Sequence, residues 1–162
     1  MSSSRGVSSA RPTMAIGELC LKEAIGILAS IRIFIVDDCE PWRRAICSVL
    51  QQYSELEVIC ESADGLDAVA KSAALQPDLI LLDIGLPNLN GLEAARRIRE
   101  VSPCSRILFL TSHNDPELVQ EAVRIGASGF VVKSDAASDL LPAVTAAIRD
   151  QLSARGRLLP DA

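Results

Sequence analysis

The most restrictive feature of this sequence is a fivefold alternation of strand-like and helix-like segments between residues 31 and 152. The strand-like segments are short, apolar and bounded by turn residues, whereas the segments between them repeat apolar residues at helical spacing. The predicted strands are 31–36, 57–62, 78–82, 106–110 and 129–133, and the predicted helices fall within 37–53, 64–76, 90–102, 115–127 and 137–152. Such an alternation predicts an α/β fold in which helices cover both faces of a parallel sheet.

Residues with strong local preferences predict where the helices begin and end. Asn90 is a suitable N-cap for the third helix, and Asp115 followed by Pro116 is typical of the start of the fourth. Gly126 is expected to end that fourth helix. We expect Pro142 to lie in the first turn of the last helix, where a missing N–H is tolerated.

The length of 162 residues fits one domain, which we place at residues 31–151 between two flanking segments. Residues 1–30 form an N-terminal extension with a Ser-rich start that we expect to be disordered, followed by a short helix in Met14–Ala29. Met14 is an alternative start residue. Residues 152–162 form a C-terminal tail, and no apolar run in the chain approaches the length of a membrane span.

Charge and cysteine content narrow the classes of function. Residues 31–150 carry 11 Lys and Arg against 18 Asp and Glu, a net charge of −7, whereas direct nucleic-acid binding favours a basic face. The five cysteines are scattered without a C-x-x-C spacing, which argues against a thiolate metal site or a disulfide framework. They fit a reducing compartment, and we therefore expect a cytoplasmic protein.

Polar residues follow four of the five predicted strands. Asp37 and Asp38 follow the first strand, Asp83 the third, Thr111 the fourth, and Lys133 closes the fifth. Because the carboxyl ends of parallel strands share one edge of the sheet, these side chains should meet there. Three carboxylates beside one ammonium group need a further cation, and a hard ion such as Mg²⁺ suits oxygen ligands. Taken singly, the acids could cap helices and the lysine could be solvated, but their joint placement indicates a phosphoryl-transfer site.

These motifs and their spacing resemble the receiver domain of two-component response regulators. The matching pieces are IVDD (35–38), LILLDIGLPNLNG (79–91), LT (110–111) and GASGFVVK (126–133). The resemblance covers residues 31 to about 150 and is closest to the branch that usually carries a helix-turn-helix DNA-binding module, which this sequence lacks. It implies a three-layer, flavodoxin-like fold with five parallel strands in the order 2-1-3-4-5.

The resemblance also assigns roles to the acidic residues. It implies that Asp83 accepts a phosphoryl group from the phosphohistidine of a sensor histidine kinase or phosphotransfer protein. Asp38, Asp83 and the backbone carbonyl of Gly85 would bind Mg²⁺ directly, and Asp37 would bind it through water.

The remaining roles concern the response to phosphorylation. Thr111 would bond the phosphoryl group, Lys133 would pair with it, and Phe130 would be the aromatic residue that turns inward as Thr111 moves. The expected result is a change in a protein-interaction face read by an output protein. The chain could also form a homodimer, with the N-terminal segment and the face of the fourth helix as the contact surfaces.

Two departures from the family pattern bear on mechanism. Ser134 stands where many receivers have a cis proline, so no cis bond is expected there. Gly85 and Ser112 lie at positions thought to set the lifetime of the phosphoryl group.

Other functions stay open beside a single-domain phosphoacceptor, which would not be an enzyme in the usual sense. A receiver that binds partners without phosphorylation and a transcription factor whose DNA-binding half is lost or lies on another chain are two of them. A Mg²⁺-dependent aspartyl-phosphate hydrolase is a third, although such enzymes typically carry a second acid where Gly85 stands.

Overall fold

The computed structural model describes residues 30–156, in which five parallel strands alternate with five helices. The strands are β1 (Ile31–Val36), β2 (Leu56–Ser62), β3 (Leu79–Asp83), β4 (Arg106–Thr111) and β5 (Gly129–Val132). The helices are α1 (Glu40–Leu50), α2 (Gly65–Leu75), α3 (Gly91–Val101), α4 (Pro116–Ile125) and α5 (Ala136–Gly156). The sheet order is β2-β1-β3-β4-β5, which confirms the expected topology. The predicted helix at Met14–Ala29 lies outside the described residues.

Two apolar layers, one on each face of the sheet, hold the fold together. One layer packs α1 and α5 against alternate residues of the central strands, such as Ile33 and Leu81. The other packs α2, α3 and α4 against the intervening residues, such as Phe34 and Ile80. Because β3 lies in the middle of the sheet and is covered on both faces, every one of its residues is buried. The apolar run that precedes Asp83 is therefore the central strand.

The helix boundaries follow the local signals of the sequence. The side chain of Asn90 accepts a hydrogen bond from the backbone N–H of Glu93, and that of Asp115 accepts one from Glu117, so both residues act as N-caps. Gly126 ends α4 in the left-handed conformation, with φ of 87°. The residues in 30–156 contain no cis peptide bond, as expected from Ser134.

The prediction for Pro142 is wrong, because Pro142 lies inside α5 and not in its first turn. The helix begins earlier than predicted, since a 3₁₀ turn at Lys133–Asp135 leads directly into it at Ala136. Pro142 and Ser138 are both exposed. Water can therefore bond the carbonyl group of Ser138 that would otherwise accept the missing N–H, which makes an interior proline tolerable.

Within the described residues, no helix is both long and apolar enough to cross a membrane.

Candidate functional site

Three acidic side chains meet at the carboxyl edge of the sheet. β1 and β3 are neighbours with Val36 paired to Leu82, so Asp37 and Asp83 emerge side by side. Asp37, Asp38 and Asp83 each place one carboxylate oxygen within 4.8 Å of the others. Asp37 is only 1% exposed and Asp83 only 5%, whereas Asp38 is exposed. Residues that are distant in the sequence thus form one acidic cluster, because parallel strands end at a common edge.

Lys133 supplies the positive charge of this cluster. It lies in the turn after β5, and its Nζ is 2.5 Å from Asp37 Oδ2 and 3.4 Å from Asp83 Oδ2. Its side chain is only 13% exposed, so water screens these contacts weakly. One ammonium group facing three carboxylates leaves two charges uncompensated if all three acids are ionised.

Burial raises the pKa of Asp83 above that of a free aspartic acid, and the charge of Asp37 raises it further. The Lys133 ammonium group opposes this shift, and so does the N–H of Gly85, which lies 3.3 Å from Asp83 Oδ1. Desolvation and repulsion outweigh these stabilising contacts, so the carboxylate form of Asp83 is under-stabilised by the protein alone. A bound cation would stabilise the Asp83 carboxylate, and protonation would remove its charge.

The acidic cluster fits a small hard cation. Asp37 Oδ1 accepts a hydrogen bond from the backbone N–H of Cys39 at 2.8 Å. Asp37 Oδ2 is buried and contacts the Lys133 ammonium group in an ion pair. A buried carboxylate oxygen beside two further carboxylates is an oxygen-rich donor set of the kind that Mg²⁺ binds.

A cleft of about 430 Å³ opens over the cluster. Asp38, Asp83 and Lys133 line it, together with Gly85 and the loop of Thr111, Ser112 and His113. A Cβ built at Gly85 would meet no atom within 4 Å, so the peptide after Asp83 borders open space. The cleft therefore admits a small anionic group to the Asp83 carboxylate.

Thr111 is buried at the end of β4, with its hydroxyl engaged locally. Its Oγ1 donates to the carbonyl of His113 at 3.1 Å and accepts from the N–H of His113 at 3.3 Å. Phe130 does not line the cleft; it is half-buried, pairs with Phe109 across β4 and β5, and packs against the α2–α4 layer. Of the residues predicted for the site, Phe130 alone lies outside the cleft and the acidic cluster.

Gly91 fixes the backbone that carries Asp83. Its N–H donates to the carbonyl of Ile84 at 2.8 Å, which docks the start of α3 onto the end of β3. A Cβ at Gly91 would lie 2.7 Å from Cα of Ile84 and 2.8 Å from the carbonyl carbon of Asp83. Glycine is required here for close approach of two backbones, with no positive φ involved.

Two residues of α1 that lie outside the sequence motifs of the site also contribute to it. The Arg43 guanidinium donates to the carbonyl of Asp37 at 2.7 Å and to Glu61 Oε1 at 3.3 Å, which ties the acidic turn to β2. The ring of Trp42 lies 5.6 Å from Lys133 Nζ, within range of a cation–π interaction. Their placement in the first two turns of the helix after Asp37 and Asp38 is the signal that could have identified them.

Comparisons with known proteins agree with this geometry. The sequence profile of the response regulator receiver domain matches residues 33–145. The chain is 38% identical over 114 residues to the transcriptional regulatory protein LnrK of Bacillus subtilis, a match that covers 70% of this chain and 52% of LnrK. It is 36% identical over 115 residues to the response regulator protein VraR of Staphylococcus aureus, covering 71% of this chain and 55% of VraR. The chain thus spans about half the length of these curated relatives.

A solved structure shows the same fold. The crystal structure of a two-component response regulator of the LuxR family from Aurantimonas sp. SI85-9A1 superposes with a TM-score of 0.70 and 29% sequence identity. That superposition covers 81% of this chain and 100% of the solved chain.

Proposed function

The chain belongs to the family of response regulator receiver domains, and on that premise we propose that it is a phosphoacceptor switch in which Asp83 receives a phosphoryl group from a phosphohistidine. The observation that carries the proposal is the environment of Asp83. Its carboxylate is buried, under-stabilised, in contact with Lys133 and open to a cleft of suitable size. A structural carboxylate would instead be saturated with hydrogen bonds.

In the transfer step, an oxygen of the Asp83 carboxylate attacks phosphorus as the phosphorus–nitrogen bond of the donor breaks. The bonding electrons pass to the imidazole nitrogen, which takes up a proton, so the donor leaves as neutral histidine. Lys133 stabilises the negative oxygens of the transferred group, since its ammonium group already lies 3.4 Å from Asp83 Oδ2. Thr111 holds one of those oxygens once its hydroxyl leaves His113.

We assign the Mg²⁺ ligands to Asp38, Asp83 and the carbonyl of Gly85, with Asp37 acting through water. The burial of Asp37 Oδ2, which contacts Lys133, and the open space at Gly85 support this set. When bound, Mg²⁺ supplies positive charge that lowers the repulsion between the carboxylates and the phosphoryl oxygens. Arg43 holds the Asp37 carbonyl and thereby keeps the acidic turn oriented toward the cleft.

The switch begins with the hydroxyl of Thr111. Bonding to the phosphoryl group requires Thr111 to give up its two hydrogen bonds with His113, which frees the loop after β4. Phe130 on the adjacent strand is half-buried, so it can turn inward as Thr111 moves. The proposed output is a change in the surface formed by α4, β4 and β5. A local change in charge at Asp83 would thus alter a wider part of the structure.

The partners follow from this assignment. The donor is a sensor histidine kinase or phosphotransfer protein, and the output partner is another protein, with a homodimer as one arrangement. The relatives named above are a transcriptional regulator and a response regulator, which supports a signalling output. We propose a receiver that spans residues 31–151 and a cytoplasmic location; four free thiols among the described residues are compatible with that location.

The cleft favours a phosphoacceptor over a phosphatase. An aspartyl-phosphate hydrolase needs an acid near the nucleophile to protonate the leaving group. The corresponding position is Gly85, where a Cβ would face open space.

Phosphorylation by a small donor tests the proposal. The purified protein is incubated with acetyl phosphate, with and without Mg²⁺, and its intact mass is recorded. We expect one phosphoryl group to be gained only with Mg²⁺, and Asp83→Asn to abolish the gain. Asp139→Asn, which changes an exposed aspartate of α5, is the matched control and should label normally. Labelling of Asp83→Asn equal to that of the unmodified sequence would refute the assignment.

A further inference from the structure

The ammonium group of Lys133 has a third neighbour besides the carboxylates of Asp37 and Asp83. Its Nζ lies over the ring of Trp42, 5.6 Å from the ring centroid, which is within the range of a cation–π interaction. The Lys133 side chain is only 13% exposed, whereas a lysine is seldom buried unless partners surround it. Two carboxylate oxygens and one aromatic face thus surround a group that has three N–H donors.

The ring of Trp42 is held in place by the apolar layer beneath α1 and α5. Trp42 is half-buried and packs against that layer. It borders the cleft over Asp83 and also an apolar groove between the two helices, where the buried side chains of Ile46 and Leu140 lie beside it. Because densely packed apolar side chains move little, the indole ring is a fixed surface on which the lysine can rest.

A fixed neighbour matters because lysine is a flexible side chain. Its four-carbon stem has many rotamers, and confining it to one position costs conformational entropy. The carboxylate of Asp37, at 2.5 Å, competes with that of Asp83, at 3.4 Å, for the same ammonium group. An apolar ring on a further side restricts the stem and keeps water away, and a cation stabilises developing negative charge best when it is already in position and poorly hydrated.

We propose that Trp42 is a positioning residue for Lys133, whose ammonium group it keeps beside Asp83 and shields from water during phosphoryl transfer. The inference rests on the proposed function, because it assigns a residue that acts in that reaction. An uncharged ring cannot replace the lysine, so the effect of Trp42 must depend on the presence of Lys133. That dependence separates a positioning role from a contribution to packing alone.

Substitutions of Trp42 separate the aromatic contact from apolar packing. Trp42→Phe keeps an aromatic face, whereas Trp42→Leu keeps only an apolar side chain. Val49→Ala is the matched control for lost packing on α1, because Val49 lines the groove without bordering the cleft. The initial rate of labelling by acetyl phosphate with Mg²⁺ is measured by intact mass. We expect Trp42→Leu to slow labelling about fivefold, Trp42→Phe to slow it less than about twofold, and Val49→Ala to leave it unchanged.

The rates distinguish failure of this inference from failure of the proposed function. Equal rates for Trp42→Leu and the original chain would overturn the role of Trp42 alone, as would equal slowing by Trp42→Leu and Trp42→Phe. Slowing by Val49→Ala as large as that by Trp42→Leu would also overturn it, in favour of packing. An original chain that gains no phosphoryl group would overturn the proposed function, and this role with it.

A second measurement needs no phosphoryl transfer. Urea midpoints are recorded without divalent ions for Trp42→Leu, Lys133→Met, the double variant and the original chain. If the ring contacts the ammonium group, Trp42→Leu should lower the midpoint by about 0.4 M less in the Lys133→Met background than in the original chain. Additive shifts would overturn the contact on which the positioning role depends, whatever the labelling rates are.

Discussion

The close approach of α3 to the end of β3 makes Gly91→Ala the most informative substitution near the site. The new Cβ would lie 2.7 Å from Cα of Ile84 and 2.8 Å from the carbonyl carbon of Asp83, and closer still to the carbonyl oxygen of Asp83. Normal van der Waals contact needs about 3.5 Å or more, so one backbone must move by close to 1 Å. Overpacking of this kind costs about 1–3 kcal/mol, partly offset by about 0.4–1 kcal/mol from the stiffer unfolded chain.

The expected net loss of about 1.3 kcal/mol, the cost of overpacking less the gain from the stiffer unfolded chain, can be measured by urea unfolding. With a denaturant slope of about 2 kcal/mol/M, the midpoint should fall by about 0.6 M. Phosphorylation by acetyl phosphate should also slow, because the displaced backbone carries Asp83. Gly85→Ala is the matched control: a Cβ there meets no atom within 4 Å, so its stability should equal the original or exceed it by up to about 1 kcal/mol. A midpoint for Gly91→Ala equal to that of Gly85→Ala would refute the close-packing argument.

Three further predictions concern the charge of the site, its support and a helix cap. Because burial and Asp37 raise the folded-state pKa of Asp83, its ionisation destabilises the metal-free fold, so stability should fall as pH rises above about 4, the ordinary pKa of an aspartic acid. Asp83→Asn should lack this destabilisation, so near pH 7 and without divalent ions it should unfold at a higher urea concentration than the original protein. A variant that becomes less stable than the original as pH rises would contradict the prediction. Arg43→Gln should weaken Mg²⁺ binding about tenfold in a Trp42 fluorescence titration, whereas Arg44→Gln, which alters an exposed pair, should not. Asn90→Ala should lower the unfolding free energy by about 1 kcal/mol through loss of the α3 cap, and an unchanged urea midpoint would argue against the cap.

Much of the fold could be predicted because its signals are local. The alternation of apolar strands and amphipathic helices indicated the α/β class, and Asn90, Asp115 and Gly126 lie where their backbone preferences placed them. The strand order came from the resemblance, since alternation alone does not fix the order of the strands. Pro142 was misplaced because the start of α5 depends on the turn after β5, which sequence periodicity does not reveal.

The candidate site was predictable in part for the same reason. Parallel strands bring Asp37, Asp83 and Lys133 to one edge whatever the details of packing, and the structure shows those side chains in contact. The contacts of Arg43 and Trp42 depend on how α1 is rotated against the sheet. Trp42 borders both the cleft and an apolar groove between α1 and α5. Both contacts of Trp42 depend on how α1, α5 and the turn at Lys133 pack together. The sequence of a single segment does not predict that packing.

The most direct test of the central claim is to locate the phosphoryl group. The protein is phosphorylated with acetyl phosphate and Mg²⁺, reduced with sodium borohydride, which converts an aspartyl phosphate to homoserine, and mapped by peptide mass spectrometry. We expect homoserine at position 83 and unmodified aspartate at positions 37 and 38. Homoserine at either of those two positions, or a phosphorylated protein with intact Asp83, would contradict it.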